Sequence, residues 1–405
     1  MTADDHLGRS DLSLASDLPP QPPYVHMLST EIRLQIFKEL DAKDLLSTAL
    51  VCKLWSGLAI DTVWRNFPIR LSCLLAPLTN TSASMLQDCW DPGALPPIPD
   101  PGNVPAERWQ TQRDRARKIT WLIVDVTWKR ARAADLEKLV VPHGGPMCSN
   151  LKSMTLIING KEPRSEDDDH WTPLLPYIVG NGLENLTLHA SKVGERVFQD
   201  IINTLARIAP RIHTALIITA TKPSPDYSAL SQLRSLDVVG PVCQDTWKAL
   251  ADCPQLESMV LQDEIDTDPD MDGYSVSFTR LKRLKISFDD EVSQGYAFIL
   301  TRLRNTAMPA LETLELKLQI EANDEAEYEA MKKDLVQMVR RRSPMLREVQ
   351  INGPIPGRDS ITGRTYGWYS NGEEEGPGSS QASVVSNTQG AEGLPVSVRA
   401  EPESV

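Results

Sequence analysis

Three aspartates near position 270 are the first residues whose spacing could support chemistry. Asp268, Asp270 and Asp272 alternate along the chain and precede Gly273, a spacing that resembles the start of a calcium-binding loop. Such a loop needs a bidentate glutamate at its twelfth position, where this chain has Thr279. We therefore predict an acidic turn here and no metal site.

Sequence motifs of known catalytic sites are also incomplete in this chain. The run HGGP from His143 to Pro146 is similar to an esterase oxyanion loop, but the sequence contains no G-x-S-x-G for it to serve. His170 follows the acidic run 166–169, which favours a charged insertion over a metal ligand. Neither phosphate-binding glycine motif, G-x-x-x-x-G-K-[ST] or G-x-G-x-x-G, occurs. We expect no catalytic residues, no cofactor and no enzymatic activity.

Length and composition narrow the class of protein. A chain of 405 residues predicts two or three domains, and its net charge of -13 argues against a nucleic-acid partner. Six cysteines occur without a C-x-x-C pair, so neither a zinc site nor a disulfide framework is indicated. The first twenty-odd residues lack the features of a signal peptide, and no apolar run reaches membrane length. We expect a cytoplasmic or nuclear protein with no membrane partner.

Three short helices are predicted between residues 24 and 68, after a proline-rich lead-in over 1–23 that we expect to be disordered. Ser29 can cap the first helix, and a second starts after Asp41. Apolar residues recur on one face of each helix. A unit of this size cannot bury all of them, so part of the apolar surface must meet a partner.

This stretch resembles the F-box. The resemblance rests on sixteen positions: Leu28, Glu31, Ile32, Ile36, Phe37, Leu40, Asp44, Leu45, Leu46, Val51, Cys52, Lys53, Trp55, Leu58, Ala59 and Trp64. One departure is Ser29, which stands where the family usually has proline. A capping hydroxyl and an N-terminal proline both favour a helix start, so the departure leaves the resemblance intact.

The resemblance implies a docking module. F-box proteins bind the Skp adaptor of SCF-type cullin E3 ubiquitin ligases, and another of their domains captures the protein to be ubiquitinated. A helix-in-groove contact of this kind uses exposed aliphatic side chains. The expected adaptor-binding residues are Leu28, Ile32, Ile36, Leu40, Leu45, Leu46, Leu50, Val51 and Trp55. Periodicity alone does not say which of them face inward.

Beyond the helices the pattern apolar-x-x-apolar-x-apolar recurs. Nine copies begin at Ile119, Leu151, Leu183, Ile212, Leu233, Leu256, Leu281, Leu311 and Leu346. Amphipathic helices are predicted over 194–209 and 324–342. Strands alternating with helices at these intervals predict an α/β solenoid with parallel strands over 115–355. This part is similar to the degenerate leucine-rich repeats of one class of F-box proteins. We assign 69–114 to a linker with a proline-rich loop, and 356–405 to a disordered tail.

The solenoid supplies candidate substrate-binding residues. Side chains alternate along a strand, so the polar neighbours of the apolar positions share the opposite face. These include Asn185, Thr187, Arg283, Lys285 and Glu315. The adjacent charges of Arg283 and Lys285 would suit an acidic or phosphorylated substrate, or they pair with Glu315 and Glu312 on the next strand.

The expected function is that of a substrate-recognition subunit of an SCF ligase. It would bind the Skp adaptor directly, cullin indirectly, and an unknown protein substrate. The alternative is an F-box scaffold that binds the adaptor without directing ubiquitination.

Overall fold

The computed structural model describes residues 28–78, 104–125, 137–138, 145–159, 172–191, 193–219, 226–240, 242, 244–262, 275–287, 300–317, 325–352 and 369–370. The calcium-like aspartates, His143 and His170 lie outside these residues, as do the proline-rich loop at 91–103 and nearly all of the tail. No helix in the described part of the chain is long and apolar enough to cross a membrane.

Three helices open the described chain: α1 (Thr30–Lys38), α2 (Ala42–Val51) and α3 (Lys53–Asn66). The Ser29 hydroxyl accepts a hydrogen bond from the Ile32 amide at 3.4 Å, and the Asp41 carboxylate accepts one from the Asp44 amide at 2.8 Å. Both caps satisfy amides that lack a partner within the first helical turn. The predicted capping role of Ser29 is thus confirmed, and Asp41 caps the second helix at the predicted start.

A long parallel sheet occupies most of the remaining described chain. Its strands are β1 (Ile69–Arg70), β2 (Trp121–Asp125), β3 (Ser153–Asn159), β4 (Asn185–Ser191), β5 (Thr214–Thr219), β6 (Ser235–Val239), β7 (Ser258–Gln262), β9 (Arg283–Ser287), β11 (Thr313–Lys317) and β12 (Glu348–Asn352). Each of these strands pairs in parallel with the next in that order. Two short strands, β8 (Val276–Ser277) and β10 (Thr306–Ala307), form a separate parallel pair. The last strand, β13, is Tyr369–Ser370.

Strand order follows chain order, which is the arrangement of an α/β solenoid. All nine repeats predicted from the sequence contribute a strand, β2 to β7, β9, β11 and β12. The predicted fold class is therefore confirmed. The chain passes from one parallel strand to the next through segments that include the helices α4 (Leu71–Leu75), α5 (Ala106–Ala116), α6 (Leu175–Ile178), α7 (Glu195–Ile208), α8 (Gln244–Ala251) and α9 (Glu325–Arg342).

One face of the sheet packs against these helices and forms a continuous core. Alternate strand residues such as Leu186, Leu188 and Leu236 are buried in it together with Phe198 and Ile202 of α7. Burial of strand residues alternates regularly, as in β5 and β6. The remaining strand residues therefore lie on the opposite face, which we call the open face of the sheet.

Tight pairing of β5 and β6 requires one glycine. Gly240 ends β6 with a φ of 137°, and a Cβ atom there would lie 2.1 Å from the carbonyl oxygen of Thr219. Only glycine fits both the backbone angle and the close approach of the neighbouring strand.

The segment 69–114, which we expected to be a linker, forms regular structure in two places. Ile69 and Arg70 form β1, which pairs with β2, and Leu71, Leu74 and Leu78 lie in the main core. Helix α5 also buries Trp109 and Ala116. No sequence pattern predicts β1, because a strand of two residues is too short to show a periodicity.

Candidate functional site

The N-terminal helices have only a small core of their own. Phe37, Leu45 and Ala59 are fully buried, and the partly buried Leu40, Ala49, Trp55, Leu58, Val63 and Phe67 pack around them. The rings of Phe37 and Trp55 meet edge to face with their centroids 5.7 Å apart. Because so few apolar residues face inward, most of the others must face solvent.

Large exposed apolar side chains concentrate on these helices. Nine such side chains occur in the described residues, and all but Trp121 and Met345 lie between residues 32 and 54. We define the apolar surface of α1–α3 by these seven, which are Ile32, Leu34, Ile36, Leu46, Leu50, Val51 and Leu54. Leu50 is 88% exposed and Val51 is 71% exposed. Concentrated exposed apolar surface of this kind is typical of sites that bind proteins, membranes or ligands.

Helical geometry groups the members of this surface. Leu46 and Leu50 are four residues apart on α2, and Ile32 and Ile36 are four apart on α1, so each pair shares one helix face. Val51 extends the α2 face at the end of that helix. Two exposed aliphatic stripes of this form can enter an apolar groove on a partner.

The expected adaptor-binding residues divide by their burial. Ile32, Ile36, Leu46, Leu50 and Val51 belong to the exposed surface. Leu28, Leu40 and Trp55 are half-buried, the last two against the small core.

Leu45 is the one residue of the expected adaptor-binding set that is fully buried. Its side chain is 0% exposed and packs with Phe37 and Ala59. It therefore holds the helices together and has no surface to offer a partner.

Two members of the apolar surface were not expected. Leu34 is 38% exposed and lies on the side of α1 away from Ile32 and Ile36, and Leu54 is 42% exposed in the first turn of α3. An exposed leucine outside the main stripe gives no signal in the sequence.

Comparison with known families points to the same helices. The F-box-like family matches residues 30–70. These residues form an F-box-like domain. The match includes α1, α2, α3 and β1, and Leu28 lies just before it. No curated protein matches the chain. The match ends at residue 70 and does not extend into the solenoid.

The open face of the sheet brings together the expected substrate-binding residues. Asn185 and Arg283 lie in one row that crosses the strands in register, and Thr187, Lys285 and Glu315 lie in the next row. Lys285 Nζ lies 2.8 Å from Glu315 Oε1 across β9 and β11. The pairing alternative considered for Lys285 is therefore the one observed.

The described part of the chain contains no group of side chains that could form a metal site. No three His, Cys, Asp or Glu side chains there are close enough to share a metal ion. The buried thiols have little reactivity, because burial raises the pKa of Cys148 and of Cys253 to about 12.

Proposed function

We propose that this protein is the substrate-recognition subunit of an SCF-type cullin E3 ubiquitin ligase. The observation that carries the proposal is the apolar surface of α1–α3 within residues matched by the F-box-like family. F-box domains bind Skp-type adaptors. The adaptor would cover Leu46, Leu50 and Val51, and it would link the chain to cullin indirectly.

Burial of this surface would supply the binding energy. Each fully buried aliphatic side chain contributes about 1.5 to 3 kcal/mol before the entropy of association is subtracted. Leu50 and Val51 are the two most exposed residues of this surface in the free chain, so binding would bury the largest apolar area at these two side chains. They are therefore the expected centre of the contact.

The second part of the proposal concerns the target protein. The open face of the sheet would bind it, with Asn185, Thr187, Arg283, Lys285 and Glu315 among the contacting residues. The support for this is that the opposite face is filled by the core, whereas these residues lie in adjacent rows of one face on which no described helix packs. Ubiquitin transfer itself would be performed by other subunits.

The test is adaptor binding by a Leu50→Asp, Val51→Asp double variant. We expect the double variant to remain folded, because both side chains are exposed, and to bind the Skp adaptor at least a hundredfold more weakly. The measurement is titration calorimetry with purified adaptor, with circular dichroism as the check on folding. Met345→Asp is the matched control, since Met345 is 50% exposed but lies outside the N-terminal helices.

Undiminished adaptor binding by a folded double variant would contradict the proposal.

The same protein preparations can distinguish a ligase receptor from a scaffold. A receptor is expected to recruit cullin together with the adaptor and to support ubiquitin transfer to a bound target. A scaffold would bind the adaptor and support no transfer.

A further inference from the structure

An isolated carboxylate stands in an aliphatic part of the open face. Asp237 lies on β6, and its direct neighbours in the row across the sheet are Leu216 on β5 and Val260 on β7. Val239 follows two residues later on the same strand and is in register with Ile218. Neighbouring strands are about 4.8 Å apart, so aliphatic side chains flank the carboxylate on both sides.

These aliphatic side chains do not belong to the core. Leu216, Ile218, Val239 and Val260 are half-buried, and within the described residues none of them packs among the core side chains. They form an apolar area at the centre of the sheet on the face opposite the helices.

Asp237 lacks a compensating contact. Within the described part of the chain its carboxylate accepts no hydrogen bond. Partial burial raises the pKa of Asp237, and the charge of Lys285 opposes that shift only in part. Lys285 itself is engaged by Glu315 at 2.8 Å. A desolvated carboxylate without a partner costs free energy, which a cation placed on it would recover.

We propose that the centre of the open face binds a protein segment in which one lysine or arginine is flanked by aliphatic residues, with the basic side chain on Asp237. This inference rests on the proposed function and specifies the chemistry of the target. The adjacent charges of Arg283 and Lys285 had suggested an acidic target. Because Lys285 is paired, the negative charge of Asp237 dominates the apolar centre. That charge also disfavours phosphate-rich partners.

The experiment pans a random peptide library against the full chain. Wild type, Asp237→Asn and Asp237→Lys are compared, with Asp200→Asn as the matched control, since Asp200 is an exposed aspartate on α7. We expect wild type and the control to enrich peptides with a basic residue between aliphatic residues. Asp237→Asn should reduce that enrichment at least tenfold, and Asp237→Lys should favour an acidic residue instead.

Three results of the library experiment would overturn the inference: no enrichment, enrichment of acidic residues by wild type, or a preference for basic residues that survives Asp237→Asn.

Sedimentation of the same variants tests for a second copy of the chain on this face. A wild-type dimer that Asp237→Lys dissociates would also overturn the inference. Adaptor binding is measured in parallel, and its absence would count against the proposed function independently of the library result.

Discussion

Leu45 and Leu46 are adjacent leucines of α2 with opposite surroundings. Leu45 is fully buried between α1 and α3, whereas Leu46 is 43% exposed on the apolar surface. The sequence could not separate them, because both fit an apolar helix face and a three-helix unit has no clear inside until its helices pack. Only the contact of Leu45 with Phe37 and Ala59 assigns their roles.

This difference predicts opposite effects for two aspartate substitutions. Leu45→Asp places an unpaired charge in the small core, so we expect it to destabilise the helices by about 3 kcal/mol or more and to unfold them. Leu46→Asp should cost less than about 1 kcal/mol of stability and still weaken adaptor binding. Chemical denaturation followed by circular dichroism, together with adaptor titration, tests both. Equal destabilisation by the two variants would contradict the assignment.

At the scale of elements, hydrogen bonds and ion pairs recur where the strands begin, and they align each strand with its neighbour. The residues before β2 to β7, β9 and β11 share one pattern. For example, the Lys152 carbonyl accepts hydrogen bonds from the amides of Glu184 and Asn185, and the Glu257 carbonyl accepts them from Lys282 and Arg283. Side chains of opposite charge add to this, since Lys152 pairs with Glu184 and Lys282 Nζ lies 3.0 Å from Glu257 Oε2.

The strands themselves could be predicted from the sequence, because each repeat places its apolar residues at fixed offsets before and within the strand. The pairs at the strand starts could not. These ion pairs depend on the register between strands that lie about thirty residues apart in the chain, and a local sequence pattern does not predict that register.

These ion pairs predict an acid-sensitive part of the stability. The pKa of Glu257 lies below its ordinary value of 4.5, first because Lys282 donates a hydrogen bond to it and then because of the charge of Lys282. A carboxyl whose pKa is lower in the folded state contributes stability above its unfolded pKa and loses that contribution as the pH falls through its folded pKa. Both groups are exposed, so the effect should be under about 1 kcal/mol.

Urea denaturation at pH 7 and at pH 3.5 measures this contribution. We expect Lys282→Met to lower stability at pH 7 and to have a smaller effect at pH 3.5, because Glu257 takes up a proton as the pH falls toward its folded pKa. Lys333→Met, which replaces an exposed lysine of α9, should show no such dependence on pH. An equal effect of Lys282→Met at both values would show that the pair contributes nothing.

At the scale of the whole molecule, α3 belongs to both the F-box-like domain and the solenoid. Ala59 lies in the small core, whereas Val63 and Trp64 pack against the core of the sheet. Lys118 Nζ lies 2.6 Å from Asp61 Oδ1, and the Thr120 hydroxyl donates a hydrogen bond to the Arg65 carbonyl. These contacts fix the end of α3 to the chain just before β2. The proposed adaptor surface is thereby held in one orientation relative to the sheet.

This shared helix predicts that two truncations of the N-terminal helices will behave differently. Removal of residues 27–64 takes away Asp61, Val63 and Trp64 and uncovers part of the core beside β1 and β2. Removal of residues 28–51 leaves α3 in place and uncovers only the small core. We expect the first truncation to lower the melting temperature of the solenoid by several degrees more than the second, because buried aromatic and aliphatic contacts are lost only in the first. Thermal unfolding followed by circular dichroism measures the difference. Identical melting temperatures would mean that α3 does not support the sheet, in which case the F-box-like domain would be free to reorient while a target is bound.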